Sequence, residues 1–97
     1  MYHYLIEINV SDKKYLNKLR EKLLNMKCNE KYSGDVGVYY LMLFNCRDET
    51  LYIGLGQHYF IDILSKKENI EDYISVLPEV FPRNKINIHF VERFINK

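Results

Sequence analysis

The sequence predicts a single α+β domain over residues 1–97, of the ferredoxin-like βαββαβ type: a two-layer sandwich with two helices on one face of an antiparallel sheet. Three patterns predict it. Residues 1–10 alternate with the two-residue period of a half-buried strand, residues 16–26 repeat apolar side chains at steps of three and four, and two apolar runs are joined by the polar reversal RDET at residues 47–50.

In the first strand, Tyr2, Tyr4, Ile6, Ile8 and Val10 form the core face, and His3, Leu5, Glu7 and Asn9 the opposite one. Ser11 and Asp12 offer an N-cap to an amphipathic helix whose buried stripe is Leu16, Leu19, Leu23 and Met26, with Lys14, Lys18 and Lys22 on its wet side. The stretch NEKYSGDVG, polar and carrying two glycines, reads as a loop. Residues 36–46 are apolar on both faces and predict a central strand, which TLYIGLG pairs with as a hairpin; Gly54 and Gly56 mark a bulge or a close backbone approach. Residues 58–65 admit an extra strand or a helix. A second helix starts at Asn69, places Glu71 and Asp72 in its first turn, and is ended by Pro78 and Pro82; Ile86 to Val91 close the sheet as a last strand. Right-handed crossovers then set the first and last strands side by side in the middle of the sheet.

Hydrophobic residues make up 47% and charged residues 28% of the chain, the balance of an ordinary globular domain rather than a disordered one. No membrane-length apolar run and no leader pattern is expected, which makes the cytoplasm the default location. Cys28 and Cys46 lack the spacing and the histidine partners of a zinc site and are expected as reduced thiols; no metal or cofactor is implied. A net charge of +1 argues against broad phosphate neutralisation, but the charge is segregated. Residues 11–31 hold seven Lys or Arg against three acids, and residues 61–80 hold five acids against two Lys. One explanation is simple complementarity between neighbouring helices.

Gly37-Val38-Tyr39 and, twelve residues on, Tyr52-Ile53-Gly54 resemble the two tripeptides of GIY-YIG endonucleases. That resemblance implies a hairpin bearing two tyrosines beside a scissile phosphate, an Arg on the following helix and a metal-binding Glu on a later one. The chain departs at each supporting position: residues 55–66 contain no Arg and present Asp62 instead, and no helix is expected after the last strand to carry the Glu. The segment therefore reads as a plain hairpin, and no catalytic residue is assigned. An RNA-binding or DNA-binding ferredoxin-like domain or a degenerate nuclease relative stands as the alternative, although the basic-Gly-aromatic run of RNA-recognition domains is absent from TLYIGLG.

Strand parity collects His3, Glu7, Tyr39, Tyr52, His89 and Arg93 on the sheet face away from the helices, with Leu5, Leu41, Leu43 and Val91 between them. Such a mixture of rings, aliphatic side chains and a few charges has the composition of an interface core. Asp62, Glu68, Glu71 and Asp72 add an acidic segment suited to a cationic partner. The expected function is a non-catalytic module that binds and neutralises another protein, of immunity-protein or inhibitor kind with a nuclease toxin as a possible target, with homodimerisation through the open sheet face as a further use of it.

Overall fold

A computed structural model describes residues 1–93. It is mostly β: a six-stranded sheet, antiparallel at every pairing, covered on one face by an eleven-residue helix and two one-turn helices. In chain order the elements are β1 (Tyr2–Ile8), α1 (Tyr15–Asn25), β2 (Asn29–Val36), β3 (Tyr39–Asn45), β4 (Glu49–Leu55), β5 (Tyr59–Ser65), α2 (Glu71–Ile74), α3 (Leu77–Val80), a 3₁₀ turn at Arg83–Lys85, and β6 (Ile86–Arg93). The strand order β2-β3-β4-β5-β1-β6 overturns the ferredoxin-like α+β expectation.

Two strands account for the difference. NEKYSGDV, expected as loop, is β2; it escapes notice because it is an edge strand, wet on both faces, with a register shift between Glu30 and Tyr32 that breaks its alternation. Residues 59–65 form β5, which sits between β4 and β1 as an interior strand. The first and last strands are neighbours, as expected, but β6 lies at the edge and not in the middle.

The meander β2 to β5 follows from short reversals. Gly37 has φ 63°, and the two residues Gly37 and Val38 turn β2 into β3. Val38 does not share the positive φ, the pattern of a II′ hairpin with glycine first. Getting from β1 to β2 is harder, because three strands lie between them. At about 4.8 Å per strand that gap is about 19 Å. An eleven-residue helix is about 16 Å long. α1 thus carries the chain across the sheet and covers its middle on the way.

Even-numbered β1 and β3 residues and odd-numbered β4 and β5 residues meet α1. Ile6, Ile8, Met42, Phe44, Ile53, Ile61 and Ile63 are buried with Leu19 and Leu23 of α1. Tyr59 stacks edge-on with Tyr15 and Phe81 at 6.1 and 5.1 Å, and its hydroxyl donates to the Asp12 carbonyl at 2.6 Å. Arg20 fastens α1 to the far strands: its guanidinium lies 3.1 Å from Glu30 and donates to the Tyr40 hydroxyl at 3.0 Å. α1 ends in a Schellman motif, Cys28 N–H to Leu23 and Lys27 N–H to Leu24, with Lys27 at φ 64° where glycine is usual.

That turn delivers Cys28 opposite Cys46, one step beyond the Asn29–Asn45 pair, and the two are joined in a disulfide. The expectation of reduced thiols is corrected accordingly. Pro78 also behaves differently from expectation. It sits in the first turn of α3, where a missing N–H costs nothing, so it opens a helical turn instead of closing the previous helix. Of the expected charge complementarity between helices, Lys22 to Glu79 at 3.2 Å joins α1 to α3.

Candidate functional site: the open face of the sheet

The face turned away from α1 is built by register. One row crosses all six strands: Tyr32, Leu43, Tyr52, Asp62, Leu5 and His89 stand side by side from β2 to β6. The next row runs Gly34, Leu41, Gly54, Phe60, Glu7 and Asn87. Tyr32, Tyr39 and Tyr52 are each close to half exposed, and Val36 and Val91 likewise.

The two expected close approaches are real. A Cβ on Gly54 would run into the Phe60 ring, and one on Gly56 into the ring of Tyr39. Both rings lie over bare backbone and meet edge-on at 6.4 Å. Tyr39 therefore folds across the end of β4 with Phe60 beside it. This leaves a hollow of about 500 Å³ among Val38, Tyr39, Gln57, His58 and Phe60, and a smaller apolar one of about 180 Å³ between Tyr32, Leu41, Leu43 and Tyr52.

Charge on this face is sparse, with Glu92 opposite His3 at the β6 edge and the rest nearer the centre. His3 Nε2 lies 2.7 Å from Asp62 Oδ1, a diagonal pair between β1 and β5, with Glu7 four residues on from His3 in β1. The carboxylates of Asp62 and Glu7 sit among rings and aliphatic side chains, where a cation brought by a partner would be poorly screened by water.

Six of the expected binding residues, His3, Glu7, Tyr39, Tyr52, Asp62 and His89, share this face by register. Four do not. A register shift where β6 passes His3 and Tyr4 turns Arg93 to the side of Tyr2, where its guanidinium sits 5.3 Å from the ring centre and 3.8 Å from Glu68. Glu68 accepts the Tyr4 hydroxyl on its carbonyl, also on the helix-covered side. Glu71 and Asp72 belong to α2 on that same side, where Asn69 accepts the Glu71 N–H at 2.8 Å. The acidic segment is thus divided, with Asp62 on one face and the other three acids on the other.

A hollow of about 590 Å³ lies on the helix side and is lined by Arg47, Asp48, Glu49, Lys67, Asp72 and Tyr73 among others. Three of its acidic and basic groups are engaged locally: Lys67 pairs with Asp48 at 3.1 Å, and Glu49 accepts hydrogen bonds from Tyr73 and Ser65. Burial first, and then the Glu49 carboxylate, push the Tyr73 hydroxyl well above its ordinary pKa. Among the described residues no group of three His, Cys, Asp or Glu converges as a metal ion would require.

Register also explains the two nuclease-like tripeptides. Gly37 forms the hairpin turn, Gly54 admits the Phe60 ring, Tyr39 packs over Gly56, and Ile53 is core. Asp62, which stands where the resemblance calls for Arg, is engaged by His3. Tyr32 and Phe60 were not singled out from sequence. Tyr32 was hidden by the loop reading of β2, and Phe60 by the undecided state of residues 58–65. The signal that identifies Phe60 is the glycine it covers, visible only once β4 and β5 are paired. No protein-family model matches the chain, and no curated protein matches it.

Proposed function

We propose that the chain is a non-catalytic binding module that captures another protein on the open face of its sheet, in the manner of an immunity protein or inhibitor. The observation that supports this reading is the row Tyr32, Leu43, Tyr52, Asp62, Leu5, His89, unbroken across six strands with its tyrosines half exposed. Rings held over glycine backbone lose little freedom on binding, so they offer contact area at low entropic cost. Asp62 and Glu7 at the centre favour a partner that places Arg or Lys there, the side chains most costly to leave unpaired once water is excluded. A cationic nuclease fits that description.

The test is affinity capture with the chain as bait, comparing the intact protein with Tyr52→Ala plus Leu43→Ala on the open face, Glu71→Lys plus Asp72→Lys on α2, and Lys14, Lys18 and Lys22→Glu on α1. A single protein retained by the intact chain and by the α1 and α2 variants, but lost from the open-face variant, is the expected result. Retention of nucleic acid that disappears with the lysines would replace this reading with a nucleic-acid binder. Two of those lysines already have local acids, Lys22 with Glu79 and Lys14 with Asp12 at 3.9 Å.

Among the described residues no helix is long and apolar enough to cross a membrane. The cytoplasmic location expected from sequence went together with reduced thiols. The Cys28–Cys46 bond supports an oxidising compartment instead, where such bonds persist. Titration of free thiols in the chain taken from its source cell decides between the two.

A further inference from the structure

We propose that the outer edge of β6 is a self-association edge, along which two copies of this chain pair antiparallel and join their sheets into one. This goes beyond capture on the open face and does not rest on it, since that face stays uncovered when sheets join edge to edge.

The argument begins with the two ends of the sheet. At one end, β2 carries Lys31, Asp35, Gly34 and a register shift, features that discourage a further strand from adding. At the other, residues 86–91 of β6 read INIHFV, with no Lys, Arg, Asp, Glu, Pro or Gly. Among the described residues no strand lies outside β6.

The direction of the free backbone groups follows from the ladder. Asn9 N–H donates to the Lys85 carbonyl at 2.9 Å, and the register continues as Glu7 with Asn87 and Leu5 with His89. Hydrogen-bonded pairs in an antiparallel ladder recur every second residue, so Asn87 and His89 turn their N–H and C=O groups to β1. Ile86, Ile88 and Phe90 turn theirs outward. Ile88 and Phe90 are also the residues whose side chains the helices fail to cover: they lie on the helix side of the sheet yet are 42% and 55% exposed. The same two positions thus present unpaired backbone groups and unburied apolar side chains.

A second copy fits this edge better than an arbitrary strand. About a twofold axis perpendicular to the sheet at His89, Ile88 of each copy faces Phe90 of the other, both on the helix side, and their outward backbone groups bond reciprocally. Antiparallel pairing brings the start of one β6 beside the end of the other, so half-buried Lys85 approaches exposed Glu92 of its mate. The apolar centre and the opposite charges at its ends are self-complementary.

Sedimentation of the intact chain at ~100 μM is expected to show a dimer that dissociates on dilution. Amide hydrogen exchange in the dimer is expected to protect the N–H groups of Ile88 and Phe90. Ile88→Lys plus Phe90→Lys should give a monomer with exposed amides there, while Val36→Lys on the β2 edge, with Tyr52→Ala as an open-face control, should leave the dimer intact. Far-UV circular dichroism and the melting temperature establish that the variants fold, and Ile88→Thr, a strand former lacking the apolar bulk, gives an intermediate dissociation constant if the edge is responsible. A monomeric intact chain overturns the proposal. So does a dimer with freely exchanging Ile88 and Phe90 amides, which would place the contact elsewhere, or one that Tyr52→Ala dissolves.

Discussion

At Gly54 a hydrogen atom in place of a side chain determines how the open face is surfaced. Phe60 lies where a Cβ would stand, so Gly54→Ala must push the ring off the sheet. The expected cost is about 1–2 kcal/mol in denaturant unfolding, because small-to-large changes in a packed site displace neighbours. In a Phe60→Ala background the same substitution should cost much less, and the difference between the two measurements is the coupling. Tyr59 and Tyr73 give a prediction at alkaline pH. Burial, followed by Asp12, pushes the Tyr59 hydroxyl from 10.0 up to about 12, and Tyr73 is raised in the same direction. Both must ionise more easily in the unfolded chain than in the folded one. Their contribution to stability is therefore complete below pH 10 and falls as pH rises towards 12. Absorbance titration of tyrosine should show the Tyr59 and Tyr73 hydroxyls lagging until the protein unfolds.

Strands and helices were readable from sequence wherever one face was wet and the other dry. The alternation Tyr4, Ile6, Ile8 and the stripe Leu16, Leu19, Leu23 record that contrast directly, and the structure buries Ile6, Ile8, Leu19 and Leu23. β2 has no dry face, and in β5 the alternation of Tyr59, Ile61 and Ile63 with Phe60, Asp62 and Leu64 also fits a helix pairing Phe60 with Leu64; losing β2 and leaving β5 open was enough to produce the wrong fold. The same loss hid the disulfide. Cys28 and Cys46 become neighbours only once Asn29 is known to pair with Asn45, a register that a loop does not have. Closing a loop of this size lowers the entropy of the unfolded chain, and reduction of Cys28–Cys46 is expected to cost about 3 kcal/mol. Urea unfolding with and without reductant measures it, and amide exchange should rise first in β2, which holds to the rest of the sheet through β3 alone.

Across the whole molecule, one layer of helix on one side of a broad sheet leaves two surfaces for association, the open face and the β6 edge. The first was largely legible in the sequence, because side-chain parity within a strand does not depend on which strand lies next to it. His3, Glu7, Tyr39, Tyr52 and His89 share the face although the predicted topology was wrong, and Asp62, read from sequence only as part of an acidic segment, joins them. Arg93 was misplaced because a register shift in a neighbouring pair reverses parity without a mark in the sequence. The edge was not legible at all, since an exposed Ile88 and Phe90 look like core residues until the extent of the helical layer is known. The strand order also bears on how the molecule is made. Of the six described strands β1 leaves the ribosome before the others, yet its two neighbours are β5 and β6, the last of the six to emerge. During synthesis Tyr4, Ile6 and Ile8 must wait with their apolar side chains bare until Tyr59–Ser65 has cleared the exit tunnel, so the nascent chain passes through a stage at which a chaperone has something to hold.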